Sequence, residues 1–173
     1  YQKALKLSSN LVKPEDQKDI TQRLAAAAFR HELDESKRAF TASEWEKTIE
    51  MLQRAQKILD ENPTIASADE KKALSRLLVN SRLYRILSVA KKAFEKKMWD
   101  LAVKEYRSAI DLLAANSGVL GKVEVEESRK TIEKTILMTL VSREQHLITT
   151  ASADNDLQST LNHYQTIVDL IDK

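Results

Sequence analysis

The chain of 173 residues contains 28 lysine and arginine residues against 26 aspartate and glutamate residues, so its formal net charge at pH 7 is +2. A charge this close to neutrality gives no general attraction to nucleic acid or to an anionic membrane surface, and we expect neither as a partner. The absence of cysteine excludes a disulfide framework, a thiolate metal site and a cysteine nucleophile.

The composition predicts an all-α protein. Only 2 glycines and 2 prolines occur, too few to terminate the many short strands of a sandwich or barrel. The commonest residues are those that lose least conformational freedom in a helix. The longest apolar runs fall far short of the roughly 20 residues that span a bilayer, so we expect no membrane insertion. The sequence opens on what is typical of the end of a helix, and we therefore expect a fragment of a longer protein.

Three long helices are predicted to alternate with three short ones. Pro14 suits the first position of a helix, where its missing N–H is no loss. Ser67 with Glu70 predicts a capping box at the start of the second long helix, and Ser43 with Glu46 predicts another at the start of the first short helix. The long helices are predicted at about residues 14–42, 68–97 and 122–149, and the short ones at about 44–61, 99–115 and 155–172.

The second long–short pair repeats the first at a constant offset of 54 residues. Residues 36–45 align with residues 90–99 without a gap, so that Trp45 meets Trp99, and these are the two tryptophans of the chain. The third pair aligns once about four residues are inserted near residues 149–156. Because it lacks the tryptophan, we interpret it as a degenerate, capping unit. Self-similarity at a fixed period indicates stacked helical hairpins.

Residues 90–113 resemble the core of a tetratricopeptide repeat. Ala90 and Ala102 stand where that family brings two helix backbones together, and Trp99 and Tyr106 stand at its aromatic positions. The resemblance implies a right-handed α-solenoid of stacked antiparallel hairpins. The family's period is about 34 residues, so the extra length lies in the first helices. A single repeat domain is expected over 1–173, with the end of a preceding repeat at 1–9 and units at 14–63, 68–116 and 122–173.

The extra length of the first helices carries an apolar face. Ile20 and Leu24 in the first long helix, and Leu74, Leu77 and Leu78 in the second, recur at spacings of three and four. In one interpretation, successive long helices pack on one another there as a small bundle. In the other, this overhang is a surface for a partner or a second copy. The first is simpler, because burying each such side chain stabilises by roughly 1.5–3 kcal/mol.

The resemblance implies a protein-interaction scaffold whose concave face, formed by the first helices, receives a peptide or helix of another protein. Lys37 and Lys91 would pair with acidic side chains or a terminal carboxylate, so an acidic peptide is the expected partner. The alternative is structural self-association, as a homodimer or assembly module, through the overhang. Carried over residue by residue, the groove candidates are Arg30, Leu33, Lys37, Tyr84, Leu87 and Lys91.

No constellation typical of an enzyme is present in the sequence. His31, His146 and His163 lie on three different predicted helices, without the spacing of three or four residues that joins two histidines at a metal. There is no glycine-rich phosphate loop and no Gly-x-Ser-x-Gly elbow. We therefore expect no catalysis, no metal and no cofactor. The two tryptophans are interpreted as core residues at the turns between paired helices.

Overall fold

The computed structural model describes residues 14–172, and all regular structure in this range is helical, which confirms the all-α prediction. None of the described helices is both long and apolar enough to cross a membrane. The predicted remnant of a preceding repeat at residues 1–9 lies outside the described residues. The described helices are α1 (Pro14–Thr41), α2 (Trp45–Glu61), α3 (Ala68–Glu95), α4 (Trp99–Ala115), α5 (Ser117–Leu120), α6 (Lys122–Ala153) and α7 (Leu157–Ile171).

The chain divides into two compact units whose boundary falls inside α3, between Arg82 and Leu83. In the N-terminal unit α1 packs along α2, and the core also takes in the first half of α3. In the C-terminal unit α6 packs against both α4 and α7, with the short α5 beside it. The core of the N-terminal unit consists of Phe29, Leu33, Leu52, Ala55, Leu59 and Leu74.

Each long helix ends in the same left-handed turn. Ser43, Lys97 and Asn155 have φ angles of 60°, 59° and 56°. The N–H of Ser43 donates to the carbonyl of Phe40 at 2.9 Å, and the next N–H donates to the carbonyl of Ala39 at 3.0 Å, which is the Schellman pattern. The same pair of bonds recurs after α3 and after α6. The three turns are 54 and 58 residues apart, so they follow the sequence repeat and its four-residue insertion.

That insertion is helical. The third long helix was predicted to end near residue 149, and α6 continues to Ala153, which makes it 32 residues long against 28 for α1 and for α3. Its start follows Gly121, whose φ of 97° lies in the left-handed region that favours glycine. The extra residues therefore lengthen a helix and do not form a loop.

One of the two predicted capping boxes is present. The N–H of Ser67 donates to Glu70 Oε2 at 2.8 Å, and the N–H of Glu70 donates to Ser67 Oγ at 3.2 Å. The capping box predicted for Ser43 and Glu46 is wrong, because α2 begins at Trp45 and its N-cap residue, Glu44, makes no side-chain cap bond. The turn that ends α1 already holds Ser43 in the left-handed region, so the start of α2 moves one residue on.

The short helices α2 and α4 bury the same repeat positions. The buried residues of α2 are Thr48, Ile49, Leu52, Ala55 and Leu59. Exactly 54 positions later, the buried residues of α4 are Ala102, Val103, Tyr106, Ala109 and Leu113. The tryptophans that open these helices are half-buried, and each contacts a phenylalanine edge to face, Trp45 with Phe40 at 5.2 Å and Trp99 with Phe94 at 5.1 Å. Both tryptophans thus close a helix turn by aromatic packing.

The overhang is mostly packed within the N-terminal unit. Leu74 is fully buried in the core, and Leu77 and Leu78 pack against that core while remaining partly exposed. Ile20, at 37% exposure, is the overhang residue that faces solvent most. The start of α3 therefore belongs to the core of the N-terminal unit, whereas Ile20 of α1 does not.

Candidate functional site

Of the six predicted groove residues, Arg30, Leu33 and Lys37 belong to the N-terminal unit. Leu33 is 4% exposed and lies in the core beside Phe29, so its side chain presents no surface to a ligand. Arg30 and Lys37 are exposed, but each is engaged by a carboxylate. Lys37 Nζ donates to Asp34 Oδ1 at 2.9 Å within the same helix, and this contact lowers the pKa of Asp34.

Arg30 joins α1 to the first turn of α3. Its Nε donates to Glu70 Oε1 at 2.8 Å, and Glu70 also accepts the N–H of Ser67. The hydrogen bond from Arg30, followed by the bonds from Ser67, lowers the pKa of Glu70 from 4.5 to about 2. A carboxylate at a helix N-terminus also meets the positive end of the helix dipole. Arg30 therefore makes a structural contact between two helices of the N-terminal unit.

The other three candidates, Tyr84, Leu87 and Lys91, follow one another along the second half of α3. Tyr84 and Leu87 line an open cleft of about 270 Å³ between this half of α3 and α6. Lys91 is exposed one turn further along the helix. The remaining lining residues are Leu83, Glu127, Ser128, Thr131 and Ile132.

The cleft has an apolar bottom and a polar rim. Leu83 and Ile132 are 8% and 6% exposed, whereas Tyr84 on one wall is 45% exposed. On the opposite wall the hydroxyl of Thr131 donates to the carbonyl of Glu127 at 3.0 Å, so the backbone of α6 is satisfied there. Its volume lies just below the range of about 300–1,000 Å³ typical of small-molecule pockets. Such a cleft suits one or two apolar side chains of a bound segment.

Four polar side chains of the C-terminal unit form a charged network that the sequence did not predict. Glu144 is 3% exposed and accepts from Arg143 Nη2 at 2.8 Å, and its other carboxylate oxygen lies 2.8 Å from His163 Nδ1. Arg143 Nη1 also donates to Asp100 Oδ1 at 3.1 Å. The network joins α4, α6 and α7. Arg143 and Glu144 are adjacent, but Asp100 lies 43 residues before Arg143 and His163 lies 19 residues after Glu144, so no local spacing could have predicted the network.

The electrostatics of this network favour ionised Arg143. Partial burial disfavours its charged form, but the hydrogen bonds and charges of Glu144 and Asp100 outweigh burial, and the pKa of Arg143 is raised. No cluster of three or more histidine, aspartate and glutamate side chains suited to a metal ion occurs among residues 14–172. Each of the four side chains contacts at least one other member, so the network links α4, α6 and α7.

No family model matches the chain, and no curated protein and no solved structure is detectably similar to it. The resemblance to tetratricopeptide repeats therefore rests on the residues of the chain alone.

Proposed function

We propose that the protein is a non-catalytic scaffold for protein–protein interaction, and that it binds a peptide or helix of its partner in the cleft between α3 and α6. The observation that carries this proposal is the position of Tyr84 and Leu87. The resemblance to tetratricopeptide repeats implies that both lie on the ligand-facing side of a first helix, and both line the same cleft with residues of the next first helix.

The architecture proposed with this function is a right-handed solenoid of antiparallel hairpins, similar to tetratricopeptide repeats but with longer first helices. Two features support it. The same Schellman turn follows each long helix, at Ser43, Lys97 and Asn155. In addition, the buried positions of α2 and α4 are in register at the repeat period. In such an array, first helices line one surface side by side.

A bound segment would insert an apolar side chain into the cleft, and a polar contact at the rim would align it. An apolar side chain of the partner would cover Leu83 and Ile132, while the exposed ring of Tyr84 would pack along its flank. Lys91, exposed beyond Leu87, would pair with an acidic residue of the same segment. Both walls are regular helices, so little ordering cost falls on the protein when the segment binds.

The test compares two threonines of α6. A peptide selected from a displayed library for binding to the protein is titrated against the wild type, Thr131→Arg and Thr149→Arg. Both threonines are exposed, and each donates to the carbonyl four residues earlier, so the two substitutions perturb the helix alike. An arginine at Thr131 fills the cleft and weakens binding by about tenfold or more, as loss of a central contact does. Thr149→Arg leaves the affinity unchanged.

Equal affinity of the wild type and both variants for every selected peptide would place the binding surface elsewhere and refute the proposal. The alternative function, self-association through the overhang, has little exposed apolar surface in its favour, since Leu74 is buried and Leu77 and Leu78 are partly buried. Light scattering at high protein concentration measures it directly.

A further inference from the structure

A small apolar recess lies beside the turn between α3 and α4. It has a volume of about 160 Å³ and is lined by Val89, Lys92, Ala93, Lys96, Met98 and Leu101, all in the C-terminal unit. Ala93 at its bottom is 4% exposed, whereas Val89 and Met98 are 42% and 50% exposed. This volume is below the range of about 300–1,000 Å³ typical of small-molecule pockets. The recess therefore suits a single side chain.

Two lysines line this recess, and no carboxylate does. Lys92 and Lys96 are exposed, and neither side chain forms an ion pair or a hydrogen bond with any residue in the range 14–172. Of the two nearest carboxylates in the sequence, Asp100 is paired with Arg143 at 3.1 Å, and Glu95 does not line the recess. The lining is thus apolar and positively charged.

The equivalent place in the first hairpin, formed by α1 and α2, is occupied by carboxylates of the chain itself. The residues 54 positions earlier are Glu35, Arg38, Ala39, Ala42, Glu44 and Lys47. Glu35 pairs with Arg38 at 2.6 Å, and Glu44 pairs with Lys47 at 2.7 Å. The pKa of Lys47 is raised chiefly by the hydrogen bond and charge of Glu44, and in addition by the charge of Glu35. The two ion pairs therefore lie close together.

The second hairpin, formed by α3 and α4, has apolar residues where the first has carboxylates. Val89 and Met98 stand at the positions of Glu35 and Glu44. At the six equivalent positions the first hairpin carries two acidic and two basic residues, whereas the second carries two lysines and no acidic residue. The second hairpin thus keeps positive charge at this place but lacks the carboxylates that neutralise it in the first.

We propose that this recess is a docking site for a short acidic segment of a partner protein, which inserts one apolar side chain into the recess and pairs flanking aspartate or glutamate residues with Lys92 and Lys96. The partner's carboxylates take the places that Glu35 and Glu44 hold in the first hairpin. The apolar insertion also keeps water away from these ion pairs, so salt screens them less than fully exposed ones.

Charge and shape favour this occupant over others. Residues 1–13 of the chain contain three lysines and no acidic residue, so like charge opposes their binding in the recess. A bilayer surface takes up apolar side chains that project from a protein, whereas here the apolar atoms line a concavity with buried Ala93 at its bottom.

The recess is separate from the cleft between α3 and α6. At about 3.6 residues per turn, Val89 and Ala93 lie on the side of α3 opposite to Tyr84 and Leu87, which line the cleft. The two surfaces therefore bind independently, and this proposal does not rest on the function proposed for the cleft.

Three synthetic peptides of about ten residues probe the recess. The first has one central leucine between glutamates, the second has lysine in place of every glutamate, and the third has serine in place of the leucine. NMR titration of the 173-residue protein to about 1 mM peptide detects even weak binding. The first peptide binds, and the second binds at least about tenfold more weakly, a difference that shrinks at high salt. The third binds at least about fivefold more weakly than the first, because no apolar side chain fills the recess. Equal affinities, or no binding of the first peptide, would overturn the proposal.

Transferring the carboxylates of the first hairpin to the second locates the site. Val89→Glu with Met98→Glu gives the recess its own acidic groups and weakens binding of the first peptide by about tenfold or more. The first hairpin holds glutamates at both equivalent positions, so the fold accommodates them. Val123→Glu with Met138→Glu is the control, since it changes the net charge equally at two exposed residues of α6 and leaves the affinity within about twofold. Circular dichroism checks that both variants remain helical. Wild-type affinity of the helical Val89→Glu, Met98→Glu variant would overturn the proposal.

Two further measurements test other occupants of the recess. Sedimentation velocity detects self-association, and co-sedimentation with phosphatidylcholine vesicles containing phosphatidylserine detects membrane binding. Either activity, if present in the wild type and lost in the Val89→Glu, Met98→Glu variant, would mean that a second copy or a membrane covers the recess, and the proposed occupant would be wrong.

The variant that blocks the cleft separates this proposal from the proposed function. Thr131→Arg binds the first peptide as the wild type does, because the recess is unchanged. Loss of binding in Thr131→Arg, with wild-type binding in Val89→Glu, Met98→Glu, would place the acidic peptide in the cleft and overturn the docking site at the recess.

Discussion

At the scale of single residues, the start of α3 depends on three polar side chains. Ser67 and Glu70 satisfy each other's N–H groups, and Arg30 donates to the same carboxylate from α1. The first backbone N–H groups of a helix have no intrahelical partner, and the bonds between Ser67 and Glu70 give two of these N–H groups an acceptor. They also fix where α3 begins relative to α1 inside the N-terminal unit. The strength of the cap therefore affects the packing of Leu74 one turn later.

Removing this cap is expected to destabilise the protein. Ser67→Ala costs about 1 kcal/mol, because it removes the acceptor for the N–H of Glu70. Ser43→Ala is the matched control, since Ser43 carries the other predicted capping signal but α2 takes its N-cap one residue later. Its effect stays within about 0.5 kcal/mol. Urea unfolding followed by circular dichroism measures both. A loss for Ser43→Ala as large as for Ser67→Ala would contradict this account.

The same cap makes stability depend on pH. The pKa of Glu70 is lowered from 4.5 to about 2, chiefly by the hydrogen bond from Arg30. A group whose pKa is lower in the folded state contributes stability that is present above its unfolded pKa and is lost as the pH falls toward the folded value. Glu70→Gln should therefore cost stability at pH 7 and little at pH 2. A constant difference across this range would show that the charge of Glu70 is not involved.

At the scale of elements, local signals predicted most helix limits, and competing or distant signals explain the failures. The start of α3 was predicted because Ser67 and Glu70 are close in sequence. Ser43 was assigned to the wrong motif because the end of α1 and the start of α2 compete for it. The groove residue Leu33 was assigned to a surface although it is buried. Periodicity identifies a helix face, but only the packed neighbours decide which face is covered.

The overhang yields a prediction about packing. Leu74→Ala removes a fully buried side chain from the core of the N-terminal unit and is expected to cost about 2–5 kcal/mol. Ile20→Ala, at a position 37% exposed in the overhang of α1, is expected to cost less than about 1 kcal/mol. Denaturant unfolding of both variants measures the difference. Equal and small losses would mean that the overhang of α3 is not part of the core.

At the scale of the whole molecule, the polar contacts of the C-terminal unit connect residues that lie 43 and 19 positions apart in sequence. Asp100, Arg143, Glu144 and His163 join α4, α6 and α7, and no buried side-chain nitrogen or oxygen among the described residues lacks a partner. Burying a carboxylate is costly unless it is paired and hydrogen-bonded. Glu144 therefore specifies one register of α7 on α6, which an apolar contact alone would define less sharply.

Loss of that carboxylate should loosen α7. Glu144→Ala is expected to cost about 1–3 kcal/mol and not the larger cost of a stranded charge, because Arg143 keeps Asp100 as a partner and the side chain of His163 is partly exposed to water. Glu133→Ala, which removes an exposed carboxylate paired with Arg129 on the same helix, is the control and stays within about 0.5 kcal/mol. Limited proteolysis at the turn around Asn155 should accelerate only in the first variant. If both variants are cleaved at the wild-type rate, the polar network does not hold α7 in place, and apolar contact with α6 suffices.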